Sequence, residues 1–325
     1  MSRNRLFKAW SVAAVAALAL SACATSDANE GSASGKSVTV EDNNGAQTIS
    51  LPLTSVVATD NRTFETLSDW GVELSAAAVA LMPNTIAYTK DADIIDLGNH
   101  REPNLEAVVA VDPQLIINGQ RFAGFHKDFA ELVPDAVVLE LDPREGQPFD
   151  AELKRQTTVL GEIFGKQAEA KKLNDDLDAA IARAKAAYTA GDKVMGVNVS
   201  GGEIGYVAPS NGRTLGPLFD ILGLTPALEV EGSDDHQGDD ISVEAIADSN
   251  PDIILVMDRD AAVAADEATY QPAAQVIEGS EALKNVNAVK NGNVIYMPND
   301  TYTNEGIQTY TEFLNMIAEQ LEAAQ

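Results

Sequence analysis

The sequence predicts two α/β domains joined by a helical segment, and three observations carry that reading. Short β-rich runs alternate with helical stretches along the chain. One helical stretch without proline stands near the midpoint. A segment of the first half recurs, without a gap, in the second.

In chain order, the first element precedes both domains. Arg3, Arg5 and Lys8 stand before an apolar run, Trp10–Leu20, that is too short for an ordinary membrane span and is laid out as a secretory signal. The ending Leu20-Ser21-Ala22-Cys23 resembles a bacterial lipobox, in which cleavage precedes the cysteine and its sulfur receives a diacylglycerol. Residues 1–22 are therefore expected to be a lipoprotein signal peptide, and Cys23 the lipidation site. Cys23 is the single cysteine of the chain, so no disulfide framework is available. Residues 23–36 are small and polar and bury too little apolar surface to fold, so they read as a flexible linker.

The N-terminal α/β lobe is expected over residues 37–150, on the runs Ser55–Thr59, Ala107–Val111 leading into Gln114–Asn118, and Ala136–Leu141. The C-terminal lobe, residues 191–325, carries Lys193–Val199, Asp252–Met257 and Asn293–Met297. Between them, residues 151–190 place Leu153, Leu160, Ile163, Phe164, Leu173, Leu177 and Ile181 at helical spacing on a connecting helix. Gly161 and Gly165 leave open whether this is one helix or two, and Gly191-Asp192 supplies a stop.

The internal repeat sets Leu105–Asn118 against Val243–Val256, pairing Glu106 with Glu244, Ala107 with Ala245, and Pro113 with Pro251. Each copy reads as a helix ended by a proline turn and followed by a buried strand. Arg121 and Arg259 stand 138 positions apart, as do Leu105 and Val243, so an arginine follows both strands. Ligands of open α/β sheets collect outside the carboxyl ends of the strands, which directs both arginines to one crevice.

The formal net charge is −28, and removing the signal makes the chain more acidic still. That charge argues against nucleic acid or anionic lipid as a partner of the general surface. An enzyme is not expected. The chain has no Gly-x-Ser-x-Gly elbow, phosphate loop or His-Glu-x-x-His, and its three histidines, His100, His126 and His236, are dispersed. A secreted hydrolase using paired carboxylates stays as a less favoured alternative.

Asp60–Leu67, Leu97–Pro103, Pro113–Arg121, Ala208–Arg213 and Asn250–Arg259, in this order and spacing, resemble the iron-siderophore branch of the periplasmic-binding-protein superfamily. The nearest likeness is to lipoproteins that bind ferric catecholate-type siderophores in Gram-positive bacteria, and it covers nearly all of the mature chain. The resemblance implies two Rossmann-like lobes joined by a single long backbone helix, the class III solute-binding-protein fold. It also implies a surface lipoprotein, a monomer anchored to the membrane by its lipid, that serves an ABC permease and its ATPase. No intrinsic cofactor is implied; the ligand is a ferric siderophore, with haem or cobalamin on the same fold as the alternative.

By position, the resemblance assigns the ligand-binding arginines to Arg121, Arg213 and Arg259. Guanidinium stays charged and presents planar donors to catecholate oxygens, so the three together imply a tricationic pocket. Arg62, just past the first strand, joins them by the strand-end argument. Some relatives add a His and a Tyr to the iron, which makes His236 and Tyr302 possible iron ligands. Here the sequence departs from the pattern, since alignment on Gly238 and Ser242 puts Gln237 at the histidine position, and Tyr302 is only near the tyrosine-bearing loop. His100 and Arg101 are candidates for the rim. Relatives meet their permease through an acidic residue on each lobe, which the motif and the repeat carry to Glu102 and Asp240, with Asp239 beside the latter.

Overall fold

In the computed structural model, which describes residues 36–98 and 101–324, the chain opens with an antiparallel hairpin, β1 (Lys36–Asp42) and β2 (Gly45–Leu51), closed by Asn43 and Asn44. The signal peptide, Cys23 and His100 lie outside the described residues. Val38, Val40 and Ile49 alternate toward the first core with the two-residue period of a strand.

Two five-stranded sheets follow. The first contains β3 (Val56–Ala58), β4 (Ala76–Ala77), β5 (Ile95–Asp96), β6 (Leu115–Asn118) and β7 (Val137–Glu140), all parallel, in the order β5-β4-β3-β6-β7. The second aligns β10 (Thr225–Pro226), β8 (Lys193–Ser200), β11 (Ile253–Asp258) and β12 (Val294–Tyr296) in parallel, and β9 (Glu203–Val207) folds back antiparallel on β8. The strand order reverses between β3 and β6 in the first sheet and between β8 and β11 in the second. A crevice opens at the carboxyl ends of such strand pairs.

The apolar runs explain why these strands are central. Every residue of β6 and of β11 is buried, as a parallel sheet covered on both faces requires. Leu115 and Ile117 enter one core and Ile116 the opposite one. Ile253, Leu255 and Met257 likewise part from Ile254 and Val256. The repeat extends to details not read from the sequence. Asn104 and Ser242 both cap their helices by accepting from a backbone N–H three residues on, and Asp112 and Asn250 both turn the chain at φ 45° and 46°. Ala107–Ala110 therefore belongs to a helix, Leu105–Ala110, and the strand begins only at Leu115.

The central stretch is two helices, Phe149–Phe164 and Gln167–Ala187, parted at Gly165, where φ is +67°. They form a hairpin: Lys154 meets Asp178 at 2.6 Å, and Asn174 donates to Thr158 at 2.9 Å. Gly161 permits the close approach, since a Cβ there would lie 2.6 Å from that of Ala170. The second helix runs from the first core at Ala170 to the second core at Leu177, Ala180 and Ala184. Its 21 residues give a rod of about 31 Å. The C-terminal helix, Ile307–Ala323, packs Phe313, Leu314 and Ile317 into the same second core. No described helix is long and apolar enough to cross a membrane.

Candidate functional site

The carboxyl ends of both central strand pairs border one cavity of about 820 Å³, within the usual size range for small-molecule sites. Thr59 and Asn61 follow β3, Gln120 and Arg121 follow β6, Ser200 and Gly201 end and follow β8, and Arg259 and Asp260 follow β11. Two apolar segments complete the wall: Ala80–Met82 beside the first sheet and Ala262–Ala264 beside the second. Tyr270 also lines it, held by donating its hydroxyl to Asp258 at 3.0 Å; its phenol is pushed up to about 12 by burial and by that carboxylate.

At the centre lies Tyr302, in the loop ahead of the C-terminal helix. Three guanidinium groups surround its ring: Arg213 at 4.7 Å from the centroid, Arg259 at 4.9 Å and Arg121 at 5.4 Å. Arg121 also donates to the phenol oxygen at 2.7 Å. Burial alone would push the phenol up, but the surrounding charges of Arg259, Arg121 and Arg213 outweigh it and hold the group below its ordinary value.

The arginines differ in what else they touch. Arg213 and Arg62, both expected at the ligand, do not line the cavity; buried Glu305 engages Arg213, and partly exposed Asp142 engages Arg62. Arg213 donates to both oxygens of Glu305, at 3.0 and 3.2 Å, and Arg62 donates to Asp142 at 3.0 Å while standing 4.0 Å from Glu305. Glu305 is 2% exposed and also accepts from Thr214 and from Gln120, both at 2.6 Å. It thus joins Gln120, from the segment after β6, to Arg213 and Thr214, from the segment after β9. Burial pushes its carboxyl up, but Arg213 and Arg62 prevail and hold it below the usual range. Arg259 does line the cavity, where Asp260 lies 3.2 Å away and Ser200 accepts at 3.3 Å. Among the described residues Arg121 forms no ion pair. The expected tricationic pocket is therefore largely neutralised by Glu305 and Asp260, neither of which sequence reasoning had singled out.

His236 and Gln237 both border the cavity, so the one-residue departure noted in the sequence leaves either beside it. The His236 side chain is half exposed and its ring lies 3.8 Å from Asp235. Glu102 and Asp240 are exposed away from the cavity, whereas Asp239 accepts from Ser233 and holds its own loop.

Asp60, two residues past the end of β3, is fully buried, accepting from Gln156 at 2.8 Å and from the Arg62 backbone at 2.9 Å. Gly119 is needed opposite it, since a Cβ there would fall 2.7 Å from the carboxylate. Burial, with Asp142 nearby, pushes Asp60 up to about 7. A carboxylic acid with a raised folded pKa keeps a proton that the unfolded chain has released. Its contribution is thus lost as pH rises from 3.8 through about 7. Asp60→Asn is expected to flatten the fall in thermal midpoint between about pH 4 and pH 7. Equal slopes in variant and wild type would remove Asp60 from that titration.

A family model described as periplasmic binding protein matches residues 56–301. The petrobactin-binding protein YclQ of Bacillus subtilis is 29% identical over 321 residues, covering 96% of this chain and 97% of its own. The ferric-anguibactin-binding protein FatB of Vibrio anguillarum is 28% identical over 280 residues, covering 82% and 81%. The crystal structure of YclQ superposes with a TM-score of 0.75 at 26% identity, covering 88% of this chain and 99% of that one. The parallel two-sheet architecture, the cavity at its strand ends and these matches agree: the chain belongs to the periplasmic binding protein family, whose members are extracytoplasmic substrate-binding proteins and not enzymes.

Proposed function

We propose that this protein captures a ferric siderophore of catecholate type in the cavity between its two sheets and delivers it to an ABC permease. The observation that carries the reading is the convergence of Arg121 and Arg259, from repeat-related strand ends, on Tyr302 within one cavity. Guanidinium donors suit catecholate oxygens, and the aryl rings of such a ligand suit the stacking that Tyr302 already displays. Binding of petrobactin and of ferric anguibactin by the relatives supports the same class. In this reading residues 37–150 and 191–325 act as the two lobes, and exposed Glu102 and Asp240 meet the permease. Cys23 carries the lipid that holds a monomeric receptor at the membrane.

The test is quenching of intrinsic fluorescence by ferric catecholate, ferric hydroxamate, haemin and cobalamin. Catecholate complexes are expected to quench at the lowest concentration. Quenching by haemin or cobalamin alone would overturn the siderophore assignment. A hydroxamate preference would retain the transport role and remove the catecholate. Mass spectrometry of the mature N-terminus tests the anchor, and an unmodified Cys23 would end it.

A further inference from the structure

The segment after β3 ties its polar side chains to the protein, with one exception. Thr59 donates to Asn118 at 2.7 Å, and Asp60 accepts from Gln156 at 2.8 Å. Arg62 donates to Asp142 at 3.0 Å, and Thr63 donates to the Asp60 carbonyl at 2.7 Å. Asn61 stands apart. It borders the cavity and is only 5% exposed, yet among the described residues its side chain makes no hydrogen bond, and its Oδ1 is buried without a partner. Buried amides are nearly always paired, because taking them from water without a replacement bond is costly. At a cavity wall the ligand can supply that bond. β3 and β6 are neighbours in the first sheet, so Asn61 and Arg121 follow adjacent strand ends. Their chemistry differs. Arg121 brings a fixed positive charge, whereas the Asn61 amide is neutral and both donates and accepts. It therefore suits an uncharged group with the same double capacity better than it suits the anionic oxygens of a chelate.

We propose that Asn61 is a specificity-determining residue whose amide hydrogen-bonds an uncharged carboxamide in the ligand's scaffold, while Arg121 and Arg259 hold the anionic chelate. This rests on the ferric-siderophore reading and adds to it a residue that reads the scaffold rather than the charge.

The test uses two hexadentate ferric tris-catecholates of equal charge. The rings are joined to the scaffold through carboxamides in one and through hydrocarbon links in the other. Fluorescence titration of the wild type is expected to favour the carboxamide complex by roughly fivefold, within the range of one neutral hydrogen bond. Asn61→Leu is expected to bring that ratio close to one. Without ligand it is expected to leave the thermal midpoint unchanged or higher, since the amide has no protein partner to lose. Asn61→Ala carries the same comparison where the first variant does not fold. Equal affinities in the wild type, or a preference that survives substitution, would overturn the role of Asn61 while leaving the siderophore reading in place. Binding of neither complex would reject the siderophore reading itself, and this inference with it.

Discussion

Replacing Glu305 with leucine is expected to lower the unfolding free energy by about 3–5 kcal/mol, the range for removing one partner of a buried ion pair. The carboxylate is 2% exposed and joins Arg213, Thr214 and Gln120, with Arg62 close by. Leucine fills a similar volume, so the loss comes from stranding Arg213 without a counterion rather than from a void. Arg62 keeps Asp142. Adding Arg213→Met to Glu305→Leu is therefore expected to recover a large part of the loss, because the uncompensated charge is then gone. Denaturant unfolding of the two single variants and the double measures this. A double variant no more stable than Glu305→Leu would show that the arginine is not the stranded group. The pH dependence runs opposite to that of Asp60. A carboxyl held below its ordinary range contributes above its unfolded pKa, and the contribution is lost as pH falls through the folded value.

Arg121→Ala is expected to weaken binding of a ferric catecholate by about 1.5–3 kcal/mol, the range for hydrogen bonds to a charged group, or roughly tenfold to a hundredfold. Among the described residues this arginine has the phenol of Tyr302 and no carboxylate as its partner, so its charge is available to the ligand. Arg259→Ala is expected to cost less, about 1 kcal/mol, because Asp260 already offsets that guanidinium. Arg213→Ala is expected to act chiefly on stability, since its donors are committed to Glu305 under the cavity. Titration and unfolding of the three variants separate these roles. A stable Arg213→Ala protein that loses as much affinity as Arg121→Ala would reverse the assignment.

What could be read from the sequence, and what could not, divides along a physical line. The positions of Arg121 and Arg259 came from a local repeat, because strand, turn and following residue are fixed within a few positions of one another. The same offset extends to Asn104 and Ser242 as caps. The partners that neutralise the arginines were less accessible. Glu305 lies 92 residues from Arg213, and nothing in either segment announces the other. Asp260 sat directly beside Arg259 in the sequence, yet adjacency says nothing of which carboxylate turns toward which cation. The hairpin of β1 and β2 did carry a legible signal, since alternating Val38, Val40 and Ile49 flank Asn43-Asn44-Gly45. The division of the central helices also follows from one residue, Gly165, whose left-handed conformation ends the first helix.

The packing of three arginines around Tyr302 has a thermodynamic consequence for capture. Free arginine side chains sample many rotamers, and freezing one at a binding interface costs about 0.5–1.5 kcal/mol. Here the ring of Tyr302, with Glu305 below and Asp260 beside it, already confines the guanidinium groups before any ligand arrives. That loss of freedom falls on folding, so the receptor meets its cargo preorganised.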